Sequence, residues 1–229
     1  INIKNNSGYS AVIDGTLNSL DSDNILIENK HENGGITIGS NAVVKTDGNV
    51  NLTNVGSKAI KVQGNVQGKD INVTNSNSHL VLGSALMTED SKPNLHAENN
   101  VNITQENGSV LNAGTKQTMI AAGKNLNIKV NNGKIGVETG TSGGGYTYGP
   151  DGSQVDTAKS INVDVKGRIN AETNDTIGNG GDYVINLSSK GSDMNIGHIK
   201  ADGRVILLTD SPADGKPGTI LNAPQDATQ

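Results

Sequence analysis

Apolar residues recur in pairs two positions apart along the whole chain, most often with an asparagine between them. The copies are Ile1-Asn2-Ile3, Val50-Asn51-Leu52, Ile71-Asn72-Val73, Val101-Asn102-Ile103, Leu126-Asn127-Ile128, Ile161-Asn162-Val163 and Ile185-Asn186-Leu187. In an extended chain alternate side chains point to opposite faces, so the two apolar residues share one face and the asparagine takes the other. Each triplet predicts a half-buried β-strand. Ile25-Leu26-Ile27 and Val205-Ile206-Leu207 are looser copies. The starts fall at 1, 25, 50, 71, 101, 126, 161, 185 and 205, in steps of 20 to 35 residues. A step that stays mostly in the low twenties and occasionally lengthens predicts a solenoid, one coil per repeat, with insertions in loops.

A second strand site follows seven of the nine at 8 to 11 residues: Ile36-Thr37-Ile38, Ile60-Lys61-Val62, Leu80-Val81-Leu82, Val110-Leu111-Asn112, Ile135-Gly136-Val137, Ile169-Asn170-Ala171 and Met194-Asn195-Ile196. So tight an offset predicts a short, repeated corner. Its residues, as in Asn107-Gly108-Ser109 and Asn131-Asn132-Gly133-Lys134, tolerate the positive φ of sharp turns. A third, weaker apolar site comes at variable distance, at Val43-Val44, Val66, Leu95, Ile120, Ile177 and Ile199. The fold class expected is all-β, a parallel β-helix with three strands per coil and about nine coils. Coils stack ~4.8 Å apart, so eight steps give a rod of roughly 40 Å. Residues 1–229 read as one rod, with loops expected near 83–94, 139–159 and 210–218, the last containing Pro212 and Pro217.

Composition fits a narrow interior. Leu, Ile and Val make up 53 of the 229 residues, while Phe and Trp are absent and Tyr occurs four times, which suits coils packed directly on one another. The chain has no cysteine, and so neither disulfides nor a cysteine-based metal site. A net charge of −5 without a basic patch argues against nucleic acid as a partner. No apolar run approaches the roughly 20 residues of a membrane-spanning helix, so membrane insertion by this segment is not expected. Ile1 already lies inside a repeat, and the chain is expected to be a segment of a longer array.

Candidate chemistry lies in the outward positions and the insertions. Asn2, Asn51, Asn72, Asn102, Asn127, Asn162 and Asn186 are expected to stack along one face, as a ladder of amides or as a flat polar adhesive surface. Two residues on, Thr53, Thr74, Thr104 and Ser188 complete Asn-x-Ser/Thr triplets, which mark Asn51, Asn72, Asn102 and Asn186 as possible glycan acceptors. The segment Thr139–Lys159 carries Gly143-Gly144-Gly145-Tyr146-Thr147-Tyr148, and Tyr146 and Tyr148 are the best candidates for partner contact. Asp164, Glu172 and Asp175 lie in neighbouring coil positions, where a polysaccharide-cleaving β-helix would need opposed carboxylates, but no compact cluster repeats. The four histidines, at 31, 79, 96 and 198, lack metal-ligand spacing and are expected in turns or on the surface. No catalytic, cofactor or metal motif is read from the chain.

The repeats, together with Ala121-Ala122-Gly123-Lys124-Asn125-Leu126-Asn127-Ile128 and Gly197-His198-Ile199-Lys200-Ala201-Asp202-Gly203-Arg204-Val205-Ile206-Leu207, resemble the filamentous haemagglutinin-like exoproteins of bacterial two-partner secretion. The resemblance implies a right-handed β-helix, secreted or displayed at the bacterial cell surface. It also implies an adhesive or stalk function towards a surface protein or glycan of a host or neighbouring cell. Glycosylated relatives would match Asn51, Asn72, Asn102 and Asn186 as acceptors. The family's secretion domain carries Asn-Pro-Asn motifs, which this sequence lacks, so recognition of the outer-membrane transporter is expected to use a region not in this chain. The expected function is a non-enzymatic adhesive rod. The alternatives are a β-helical polysaccharide-cleaving enzyme and the stalk of a secreted cytolysin or contact-delivered toxin.

Overall fold

A computed structural model describes residues 1–19, 22–84, 86–88, 90–113, 117–136, 160–174, 185–190, 193–201, 205–210 and 218–222. All of its regular structure is β, in three sheets whose strands pair in parallel. The first sheet has nine strands, in the order Asn2–Asn5, Ile25–Asn29, Val50–Asn54, Ile71–Ser76, Val101–Glu106, Leu126–Asn131, Ile169–Asn174, Met194–Lys200 and Ile220–Asn222. The second contains Ser10–Ile13, Gly35–Ile38, Ile60–Val62, Leu80–Leu82 and Val110–Asn112. The third contains Thr16–Ser19, Val43–Thr46, Asn65–Gly68, Leu95–Ala97, Ile120–Ala122, Ile161–Val165, Ile185–Lys190 and Val205–Asp210. As far as Leu126–Asn131 the chain visits the sheets in turn and each strand pairs with its counterpart one coil away; beyond it the described strands alternate between the third sheet and the first, and the second side continues only as the bridge of Ile135 to Val110. The fold is a right-handed parallel β-helix with three strands per coil.

The alternation in the sequence accounts for the interior. Ile25 and Ile27, Val50 and Leu52, Ile71 and Val73, and Leu126 and Ile128 are at most 2% exposed, whereas the residues between them are half-buried. Their counterparts on the other sides, such as Ile36, Ile60, Leu80, Val44, Val66 and Leu95, close the same core. Each such aliphatic contributes about 1.5–3 kcal/mol on burial, so every coil adds its own increment of stability.

The expected strands sit where the triplets place them through Leu126-Asn127-Ile128, and the second-side and third-side sites match as far as Ile135 and Ile120. Beyond that point the assignment of sides needs correction. Ile161-Asn162-Val163, Ile185-Asn186-Leu187 and Val205-Ile206-Leu207 belong to the third sheet, not the first. Ile169-Asn170-Ala171 and Met194-Asn195-Ile196 are first-sheet strands, not second-side ones, and Ile199 continues the latter strand. The step across the large insertion is therefore 43 residues, from Asn127 to Asn170. The physical reason is that an apolar-x-apolar triplet has the same form on every side of the coil. Only pairing with the coil before shows which side it occupies.

The first coil also has second- and third-side strands, Ser10–Ile13 and Thr16–Ser19, that the triplet pattern did not signal. The second-sheet strand Leu80–Leu82 is followed by the third-sheet strand Leu95–Ala97, with no strand between them among the described residues. Asp210 ends a third-sheet strand instead of opening a loop. Residues 139–159, with Tyr146 and Tyr148, lie outside the described residues, as do Ile177, Asp175 and 211–217.

Candidate functional site

The outward face of the first sheet carries the expected amide ladder in altered membership. Asn72 Nδ2 donates to Asn51 Oδ1 at 2.9 Å, Asn102 to Asn72 at 2.9 Å, Asn127 to Asn102 at 2.8 Å and Asn170 to Asn127 at 2.7 Å. In-register parallel pairing puts each asparagine beside its copy, which fixes these bonds. Asn2 is cut off, because its register partner one coil on is Leu26. At the other end a register shift at Ile169/Asn170 sets His198 against Asn170 and stops the run.

Asn162 and Asn186 are not rungs of this ladder. Both are 2% exposed on the third sheet, and Asn186 Oδ1 accepts the Ser160 hydroxyl at 2.6 Å. Ser188 is equally buried. Asn186 therefore lacks the outward position expected of a glycan acceptor. Asn51, Asn72 and Asn102 keep that position, half-buried, and only Asn51 has an amide nitrogen that donates to no other rung.

Beside the ladder runs a second outward rank, Thr53, Thr74, Thr104, Lys129 and Glu172 in register. It changes from hydroxyls to charges along the rod, and Glu172 Oε1 lies 3.5 Å from His198 Nε2. Asp164 sits on the third sheet, paired with Lys166 at 2.8 Å. The two described carboxylates once grouped with Asp175 thus lie on different sides of the coil. Among the described residues no group of three or more His, Cys, Asp or Glu could hold a metal. His31 and His79 serve turns, their Nδ1 atoms accepting the backbone N–H of Asn33 and Ser109.

A second ladder runs inside the coil and was not anticipated. Asn5 donates to Asn29 at 2.8 Å, Asn29 to Asn54 at 2.7 Å, Asn54 to Asn75 at 2.8 Å and Asn75 to Gln105 Oε1 at 2.9 Å. Asn29, Asn54, Asn75 and Gln105 are fully buried. They close the corner between the first two sheets: Asn54 Nδ2 reaches the carbonyls of Gly56 and Lys58, and its Oδ1 accepts Gly56 N–H at 3.1 Å. Buried turn carbonyls and amides require such partners. The signal for this ladder is in the sequence. Asn29, Asn54 and Asn75 follow the triplet at inward parity and repeat with its spacing.

Two further stacks guard the corners. Asn107 donates to Asn77 at 3.1 Å and Asn132 to Asn107 at 2.9 Å, and these three residues have φ of 63°, 50° and 55° in chain order. Gly108 and Gly133 follow two of them because coils approach closely there. A Cβ would stand 2.0 Å from Ser78 O and 1.9 Å from Gly108 O. Where the third side turns into the first, Asn24, Asn49, Asp70, Asn100 and Asn125 each accept the backbone N–H of the corresponding residue in the next coil.

Comparison with protein-family models, with curated proteins and with solved structures gave no match to this chain.

Proposed function

We propose that this chain is a segment of an extracellular bacterial adhesive rod, secreted or held at the cell surface, acting by structure and contact rather than by catalysis. The observation that supports this reading is the direction of its polar groups. Across four stacks, side chains bond the equivalent residue or its backbone one coil away, along the rod axis. Groups arranged for chemistry converge on a point, whereas these extend a stack. Adding a coil adds core, parallel pairing and one rung to a ladder, which builds length without a new design. In this reading the rod holds contact regions away from the cell. The Asn51–Asn170 face and the insertion with Tyr146 and Tyr148 meet a surface protein or glycan of a host or neighbouring cell. The transporter that exports the rod recognises a region outside this chain.

The test is binding of the chain to cultured host cells and to a glycan panel, beside a version lacking residues 140–158. Retained binding of the intact chain with loss in the shortened one assigns contact to the insertion. Equal binding by both moves contact to the rod's own surface, and no binding by either removes the adhesive part of the proposal.

A further inference from the structure

The described residues 83–84, 86–88 and 90–94 form a bracket over one corner of the rod. Its departing foot is held where Gly83 N–H donates to Val62 O at 3.0 Å. Its returning foot is held by Asn94 Nδ2, which donates to the carbonyls of Gln63 and Gly64 at 3.2 and 3.0 Å, and by Asn65 Nδ2, which donates to Pro93 O at 2.5 Å. Within the bracket Met87 N–H bonds Ser84 O at 3.1 Å and Ser91 N–H bonds Thr88 O at 2.9 Å. Between this bracket and the stacked corners at 40–43 and 63–65 lies a cleft of about 350 Å³.

That volume falls within the range of small-molecule sites, ~300–1,000 Å³. The lining differs in kind from the outer face of the first sheet. There, most asparagine amides bond one another, whereas the side chains of Asn41 and Gln63 in the cleft bond no other described residue. Ser84, 6% exposed, accepts Leu86 N–H on its Oγ and keeps its own hydrogen to donate. Leu86, 76% exposed, and Met87 form an apolar side of the same cleft, and Lys92 brings an exposed ammonium.

From this combination we infer that the cleft is a binding site for one carboxylated sugar unit, a deepening that rests on the adhesive reading above. The amides of Asn41 and Gln63 each offer both donors and an acceptor, which matches vicinal hydroxyls. Leu86 and Met87 take the C–H face of the ring, and Lys92 takes the carboxylate. A neutral sugar would forgo the attraction of the ammonium, and an apolar ligand would cover the amides without bonding them.

Titration calorimetry on the full chain tests this with a short oligoglucuronate, a sialylated trisaccharide and a neutral glucose oligosaccharide of equal length. Binding of one or both acidic probes about two- to five-fold tighter than the neutral one is expected. The first two probes distinguish a uronate source from a sialylated one. Lys92→Ala should bring acidic binding down to the neutral level, and Asn41→Ala with Gln63→Ala should remove binding of all three. These side chains bond no other described residue, so unchanged thermal unfolding is expected and confirms folded variants. Equal binding of acidic and neutral probes, no binding of any, or indifference to Lys92→Ala overturns the site. If cell binding persists in a chain that binds no probe, the cleft is wrong and the adhesive reading stands; loss of cell binding altogether removes that reading too.

Discussion

The inner and outer ladders of the first sheet are built from the same amide group at the same spacing, a few residues apart in each strand, yet their situations differ. Asn54 is buried and its amide links four neighbours: Asn29 below, Asn75 and Ser78 above, and the turn at Gly56–Lys58. Asn72 is half-buried, bonds only Asn51 and Asn102, and has water as an alternative partner. A hydrogen bond contributes little net stability where water can replace it and a great deal where its loss strands buried groups. The inner ladder therefore holds the corner, while the outer one sets a surface.

The largest expected effect comes from breaking the inner rung. Asn54→Leu keeps the branched outline but takes one of the two acceptors of Asn29 Nδ2 and orphans Gly56 N–H and two turn carbonyls, and at about 1–3 kcal/mol for each buried group left unpaired the loss should be about 3 kcal/mol or more. Asn72→Leu should cost less than about 1 kcal/mol. Urea unfolding of the two variants measures the contrast, and similar midpoint shifts would break it.

The corner itself offers an intermediate case. Gly133→Ala places a methyl 1.9 Å from the Gly108 carbonyl, so coils must part locally, at a cost of about 1–3 kcal/mol. Thermal unfolding checks this, and a Gly133→Ala chain as stable as the parent would mean that the corners have slack. Smallest of all, Glu172→Gln removes a pairing with His198 whose side chains are 46% and 56% exposed, and the change should be within about 1 kcal/mol. A larger loss would assign the charged end of the outer face a structural role that the exposed geometry does not support.

Much of this arrangement is legible in the residues. The Val50-Asn51-Leu52 and Val101-Asn102-Ile103 triplets announce the strand, its buried face and its outward amide together, because strand alternation is a local property. The positive φ of Asn107 and Asn132 is equally local, carried by the Asn-Gly pairs. The inner ladder was missed although Asn54 and Asn75 show its spacing, since a polar residue at inward parity reads as a break in the pattern until a partner one coil away is known. The cleft under residues 83–94 has no sequence signature, because its two walls come from corners and a bracket that meet only after folding.

By itself, then, the sequence determined the coil: strand after strand with a fixed inner face, short Asn-Gly corners and a repeat that stacks. Only the tertiary structure decided which side each later triplet occupies. Ile161-Asn162-Val163 has the form of a first-sheet strand, but the strand it opens, Ile161–Val165, pairs through Val163–Val165 with Ile120–Ala122 in the third sheet, and Asn162 is buried rather than exposed. Alternation specifies two faces of a strand, whereas assignment to one of three sheets is a property of the pair, set by the neighbour that supplies its hydrogen bonds.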